Sequence, residues 1–268
     1  MLAPRPLGQT GLHVAPLGLA GRPDVAPEVV ERAFLELGVN YFFVTPRMKG
    51  LVEGLRRLIA AGHRDRLVIA MGANVPTGWS VRREWERAAR VLGTDVIDVF
   101  QLFWVKAHWY VTGKTWPAMR ALKEEGKARA LGISCHDRPM ARALADEVGL
   151  DVLMLRYNAA HRGAEREVFA SLPAARPGVV AYTATRWGKL LAPAGDGLGP
   201  MTPAECYRFA LTNPSVDVVL CGAASFEELA EDAAGVAAGP LPAARLDEVK
   251  RFGDAVRAAA SSRLLWGA

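Results

Sequence analysis

Cysteine is scarce in this chain. Among 268 residues there are three cysteines, Cys135, Cys206 and Cys221, and they lie far apart. No Cys-x-x-Cys pair occurs, and three thiols cannot complete an even disulfide framework. We therefore expect a reduced, cytoplasmic protein without a disulfide scaffold. The cysteines and five histidines also show no recognisable metal-ligand spacing, so we expect no metal site.

Long apolar runs and blocks of one charge are also missing. No apolar segment is long enough to span a bilayer, and the first residues lack the apolar core of a signal peptide, so we expect no membrane association. The net charge is +5, but the basic residues are scattered. Scattered charge argues against nucleic acid as a partner and leaves a small-molecule ligand as the expected one. Nothing in the sequence indicates a protein partner or an oligomeric state.

What the chain does have is a repeated alternation of helix and buried strand. The apolar run from Val39 to Val44 lies between two amphipathic segments, Ala26–Leu37 and Leu51–Ala61. A strand that is apolar on both faces is typical of parallel sheets. Eight such strands alternate with helices without a break in composition, and a hairpin over Leu7–Val14 precedes them. This order predicts an α/β protein, one (β/α)8 TIM barrel over residues 1–268.

Several of these segments resemble the aldo/keto reductases. They are Gly38-Val-Asn-Tyr-Phe42, Ile97-Asp-Val-Phe-Gln-Leu-Phe103, Leu122-Lys-Glu-Glu-Gly-Lys-Ala-Arg129 and Gly178–Leu191, and the resemblance runs from about Leu7 to about Gly239. It implies that the hairpin closes the barrel floor. It also implies an oxidoreductase that moves a hydride from nicotinamide to a carbonyl carbon while a tyrosine protonates the oxygen.

The residues that carry this chemistry in the family are replaced here. The family's Asp, Tyr, Lys and His positions hold Phe43, Met48, Gly72 and Phe103. None of these four side chains can exchange a proton, and positioned proton transfer typically contributes about 10² to 10⁴ in rate. Ordinary NAD(P)H carbonyl reduction is therefore not expected. Weak substitute candidates for a catalytic role are Lys49, Cys135 and His136, although adjacent strand residues such as the last two point in opposite directions.

The resemblance also implies a set of cofactor-binding positions. It places Ser134, Asn158 and Tyr182 at the nicotinamide, and the other positions along the pyrophosphate and the adenosine: Thr183, Arg186, Trp187, Gly188, Gly222, Ser225, Glu228 and Asp232. Cys135 and Met154 stand where the family uses amide side chains. The acidic residues near the adenosine accept from a ribose hydroxyl but repel a 2′-phosphate. We expect NAD(H) or NADP(H) to bind weakly or not at all.

The ends of the predicted strands supply candidates for a substrate pocket, because barrel enzymes act at that face. They are Arg47, Met48, Phe103, Trp104, His136, His161 and Arg162. Arg47, Arg162 and Arg186 are candidates for attracting an anion. Three functions stay open: a divergent oxidoreductase without the four catalytic groups, a pseudoenzyme that binds a ligand or regulates, and a barrel used for a non-redox reaction on a small anionic or aromatic substrate.

Overall fold

The computed structural model describes residues 1–20, 22, 24–194 and 197–265, with side chains as far as residue 259. The strands are β1 (Arg5–Pro6), β2 (His13–Val14), β3 (Leu17–Ala20), β4 (Tyr41–Phe43), β5 (Val68–Ala73), β6 (Ile97–Val105), β7 (Ala128–Cys135), β8 (Val152–Arg156), β9 (Gly178–Tyr182) and β10 (Val218–Cys221). The helices are α1 (Pro27–Leu35), α2 (Lys49–Ala60), α3 (Gly78–Leu92), α4 (Thr115–Glu124), α5 (Arg138–Val148), α6 (Ala164–Glu167), α7 (Pro203–Thr212), α8 (Phe226–Ala237) and α9 (Ala243–Leu265). No helix in these ranges is long and apolar enough to cross a membrane.

The eight strands from β3 to β10 are parallel and close into a barrel, with β10 paired to both β9 and β3. The predicted (β/α)8 barrel is therefore confirmed. Local sequence signals start and stop its helices. Asp137 accepts a hydrogen bond from the Met140 N–H at the start of α5, and Gly93 ends α3 in the left-handed conformation. Such caps satisfy backbone groups that a helix end leaves unpaired.

The barrel interior is filled by every second residue of the strands, as the two-residue repeat of a strand requires. Tyr41, Val99, Val152 and Val180 belong to this inner cluster. At the floor, the β1–β2 hairpin inserts Leu7, which is fully buried. Gly8 adopts a positive φ against the backbone of Gly178, where a side chain would overlap that strand. The expected hairpin at the barrel floor is thus present.

The opposite end of the barrel is partly covered by α9, a position that the sequence did not specify. Gly253 of α9 packs so closely on Ala159, after β8, that a Cβ there would overlap the Ala159 carbonyl. Arg162 donates to the Lys250 carbonyl at 2.8 Å. Helix α9 therefore fixes the loop that follows β8.

Candidate functional site

A cavity of about 590 Å³ opens at the carboxyl ends of the barrel strands. Every barrel strand, or the residues directly after it, contributes to its wall. Active sites in this fold lie at the same end, because the loops that follow the strands converge there. The wall is mostly apolar, and its lining residues include Ala20, Phe43, Met48, Asn74, Phe103, Trp104, Ser134, His136, Met154, Tyr182, Leu220 and Gly222.

Three of the four positions that the resemblance assigns to catalytic groups line an apolar side of this cavity. The Phe43 and Phe103 rings are 5.2 Å apart between centroids, and Met48 lines the wall with them. A Cβ at Gly72 would overlap the carbonyl oxygen of Gln101 on β6, so β5 and β6 leave no room for a side chain there. No proton donor or acceptor is therefore contributed by these side chains.

Titratable groups enter the cavity from another side, through His136 and Tyr182. The Tyr182 hydroxyl lies 3.0 Å from Nδ1 of His136, and the two rings meet edge-on at 5.7 Å. Burial raises the pKa of the Tyr182 phenol. Burial, helped by the charge of Arg156, lowers the pKa of His136. Both groups are therefore neutral near pH 7, with the phenol able to donate to the imidazole.

The other two weak catalytic candidates do not reach the cavity in a reactive form. Lys49 is exposed at the first position of α2 and lies outside the cavity wall. Cys135 is buried, and its thiol lies 3.3 Å from the Val105 carbonyl and 3.2 Å from the Asp137 carbonyl. Burial raises the pKa of this thiol to about 11, so little thiolate forms at neutral pH. The pairing of Cys135 with His136 as nucleophile and base is therefore not formed.

The residues assigned to the nicotinamide are largely engaged in holding the protein together. The buried Asn158 amide donates to the Thr183 carbonyl at 2.8 Å, and its oxygen accepts from the Ala160 N–H at 3.1 Å. The Ser134 hydroxyl lines the cavity but already accepts from the Trp104 N–H at 2.8 Å. Asn158 is thus a structural residue, and the Ser134 hydroxyl hydrogen remains for a ligand.

The loop after β9 is strained and lies beside the cavity. Thr183, Arg186 and Trp187 all have φ values of 52° to 55°, in the left-handed region that side chains rarely adopt. Strain of this kind is often found at ligand-binding sites. Trp187 is 69% exposed and lines the cavity, and Gly188 follows it. Arg186 is buried instead and donates to the Val256 carbonyl of α9, so it does not face the cavity as predicted.

A second cavity of about 610 Å³ continues from the first and shares Arg22, Thr185, Trp187, Tyr207 and Gly222 with it. Its outer wall carries three carboxylates, from Glu228, Glu231 and Asp232. Ser225 caps α8 by accepting from the Glu228 N–H at 3.2 Å. Burial raises the pKa of Asp232 to about 6, so this group is mostly ionised at pH 7. The two cavities adjoin, and the carboxylates of the second are unsuited to a 2′-phosphate.

Three predicted pocket residues do not line the main cavity. Arg47 is exposed beside it. Arg162 pairs with Asp254 at 2.9 Å, in addition to its contacts with backbone carbonyls. His161 lies 3.2 Å from Asn158 through Nδ1, and burial together with Arg156 and other arginines lowers its pKa to about 4. Arg162 and His161 therefore hold the loop after β8, and Arg47 has no hydrogen bond or ion pair with that loop in the described part of the chain.

The sequence reasoning missed other residues near the cavity. Thr45, Asn74 and Tyr207 line it, and Arg156 lies at its rim. The two-residue repeat from Val152 through Met154 was the available signal that Arg156 faces inward. Within the described ranges, no three His, Cys, Asp or Glu side chains are placed to share a metal ion.

Comparison with known proteins gives a consistent result. The model of the aldo/keto reductase family matches residues 22–205. The chain is 23% identical over 280 residues to L-galactose dehydrogenase of Arabidopsis thaliana, covering 87% of each protein. It is 30% identical over 91 residues to NADH-specific methylglyoxal reductase of Escherichia coli, covering 33% of this chain and 28% of that protein. The structure of aldo-keto reductase AKR11C1 from Bacillus halodurans, in its holo form, superposes with a TM-score of 0.79 at 21% identity over 94% of this chain and 96% of that one.

Proposed function

The chain belongs to the aldo/keto reductase family, and on this premise we propose that it binds an unphosphorylated nicotinamide dinucleotide but does not reduce carbonyls by the family's proton-transfer route. One observation carries the second half of this proposal. Phe43, Met48 and Phe103 form an apolar wall, and Gly72 has no space for a side chain. Loss of a positioned acid removes about 10² to 10⁴ in rate, and here its neighbours are lost with it.

The choice of an unphosphorylated cofactor rests on charge. Glu228, Glu231 and Asp232 line the outer cavity, where carboxylates accept from ribose hydroxyls and repel a 2′-phosphate. A relative that matches about a third of the chain is named as NADH-specific. A bound nicotinamide would supply a hydride, and Tyr182 and the hydroxyl of Ser134, which line the cavity, would hold its ring. Because Asn158 is engaged elsewhere, we expect weak binding at that end.

This engagement of Asn158 also favours a second candidate. A protein that binds a small ligand in the main cavity, without any dinucleotide, needs no amide partner for nicotinamide. The hydrogen bonds from Asn158 to Thr183 and from Trp104 to Ser134 would then serve only to hold the loops in place.

Calorimetric titration with NADH and NADPH tests the cofactor proposal. We expect NADH to bind at least about tenfold more tightly, a difference of about 1.4 kcal/mol, because a 2′-phosphate beside these carboxylates places like charges together. Glu231→Lys should reduce the difference in affinity between NADH and NADPH. The matched control is Glu227→Lys on the same helix, since Glu227 is exposed and lies outside the cavity wall.

Each outcome of that titration is informative. Tighter binding of NADPH would overturn the assignment of the unphosphorylated form. Binding of neither form would favour the ligand-binding candidate. The same preparation should show no oxidation of NADH or NADPH above background with simple aldehydes, and steady turnover would refute the loss of the proton-transfer route.

A further inference from the structure

Arg156, the last residue of β8, is a half-buried charged residue whose position in the strand faces the barrel interior. Val152 and Met154, two and four residues earlier, belong to the inner cluster, so the strand repeat directs Arg156 inward as well. Its Nε atom is buried without a hydrogen bond. Among the residues that the structure describes, none forms an ion pair or hydrogen bond with its guanidinium.

Arg156 is not part of the main cavity's wall, but strand register places it at the rim, next to residues that line the wall. Its Cα is paired with that of Tyr182 on β9, and Tyr182 lines the cavity. Met154, the inward-facing residue two positions before Arg156, also lines the main cavity. Successive inward residues of a strand are about 7 Å apart along the strand, a distance that an arginine side chain can span. The guanidinium can therefore meet a molecule held in the cavity.

The groups around Arg156 make the rim electropositive. The positive charge of Arg156 contributes to the pKa shifts of Tyr182, His136, His161 and Arg186. Arg186 is itself buried and bonded to a backbone carbonyl, not to a carboxylate. Two other arginines in this region form ion pairs with carboxylates: Arg138 with Glu167, and Arg162 with Asp254. A half-buried cation in such surroundings is stabilised when an anion joins it.

We propose that Arg156 binds the carboxylate of a small molecule whose aromatic or aliphatic body fills the main cavity. This inference rests on the proposed function in one respect, that the main cavity is a ligand site. Phe43, Phe103 and Met154 supply an apolar surface for the body of the ligand. A planar guanidinium matches a carboxylate with two parallel hydrogen bonds. Tyr182 is paired with Arg156 in the sheet and bonded to His136, so both side chains can also bond the carboxylate. The single charge of the guanidinium matches a monoanion.

The test compares phenylacetate with its neutral isostere phenylacetamide by calorimetric titration of the full chain. On the wild-type protein we expect phenylacetate to bind about tenfold to a hundredfold more tightly, the range for a hydrogen bond to a charged group. Arg156→Met should remove this difference and leave the affinity for phenylacetamide unchanged. Arg47→Met is the matched control, because Arg47 is an exposed arginine after β4, whereas Arg156 is half-buried beside Tyr182.

Several results would overturn the proposal. Equal binding of acid and amide by the wild-type protein would do so without any variant, so the test survives if Arg156→Met fails to fold. Retention of the difference in a folded Arg156→Met, or its loss in Arg47→Met, would place the anion elsewhere. NADH titrated in parallel separates the two proposals: NADH binding without a carboxylate preference refutes this inference alone.

Discussion

At the scale of single residues, Gly72 shows why the catalytic lysine cannot simply be restored. The family has its lysine at this position in β5, but here the backbone of Gln101 on β6 occupies the space of any Cβ. The close approach of β5 and β6 at this point requires a residue without a side chain. A catalytic group is therefore absent together with the room it would need.

We predict that Gly72→Ala lowers the free energy of unfolding by about 1 to 3 kcal/mol, because overpacking forces the backbone to shift. Chemical denaturation at constant pH measures this change. Gly199→Ala is the control, since Gly199 has no atom within 4 Å of its Cβ position and no positive φ. Its effect should stay within about 0.5 kcal/mol. A Gly72→Ala protein as stable as wild type would contradict the close approach of β5 and β6.

At the scale of elements, the loops that follow β8 and β9 depend on α9. Arg162 and Arg186 both donate to backbone carbonyls of this helix, at Lys250 and Val256. Gly253 allows the helix to approach Ala159 closely. Because Asn158 and Thr183 are bonded to each other beneath these contacts, α9 sets the shape of the cavity rim.

We predict that Gly253→Leu moves α9 away from the rim and costs about 1 to 3 kcal/mol of stability. Hydrogen exchange should then be faster in the segments after β8 and β9, while the hairpin at the barrel floor stays protected. Ala258→Leu places the same side chain at an exposed position of the helix and should leave exchange unchanged. Uniform protection in Gly253→Leu would show that α9 does not hold these loops.

At the scale of the whole molecule, charge is distributed unequally between the two ends of the barrel. At the floor, carboxylates meet arginines: Asp98 lies 2.9 Å from Arg64, and Asp217 lies 2.7 Å from Arg176. At the open end, Arg156 has no such partner among the described residues. This contrast fits a fold in which the floor contributes stability and the open end contributes function.

The arginines around His161, in the loop after β8, predict how stability depends on pH. Burial and four arginines lower the pKa of His161 to about 4, against about 6.5 in an unfolded chain. Between these values the unfolded chain binds a proton that the folded protein does not. The contribution of His161 is thus complete above about pH 6.5, and it falls as the pH drops toward about 4.

Unfolding by urea at several pH values measures this slope. His161→Asn should make the free energy of unfolding less dependent on pH between about 4 and 6.5, because the titrating group is gone. His13→Asn serves as the control, since His13 is exposed on the floor hairpin. An unchanged slope in His161→Asn would mean that the loop after β8 does not keep this imidazole neutral.

The sequence by itself determined the barrel and the apolar replacements within it. Strand runs such as Val39–Val44, the alternation with helices, and the order of the segments are local patterns, and local patterns are readable without coordinates. Phe43, Met48 and Phe103 were placed by the resemblance to the family, and all three line the cavity. The sequence therefore indicates both the family and the apolar residues at the positions where the resemblance expects proton-transfer groups.

Only the tertiary structure decided which charged and polar side chains are available. Arg162 is paired with Asp254, 92 residues away, and Arg186 with the Val256 carbonyl, 70 residues away, whereas Arg156 has no such partner in the part of the chain that the structure describes. The Asn158 amide likewise donates a hydrogen bond to the carbonyl of Thr183, which lies 25 residues further along the chain. Such pairings depend on distances between segments that are remote in the chain, and no local pattern specifies them. A strand's repeat directs a side chain inward, but the packing of α9 determines whether that side chain meets a ligand or a carbonyl.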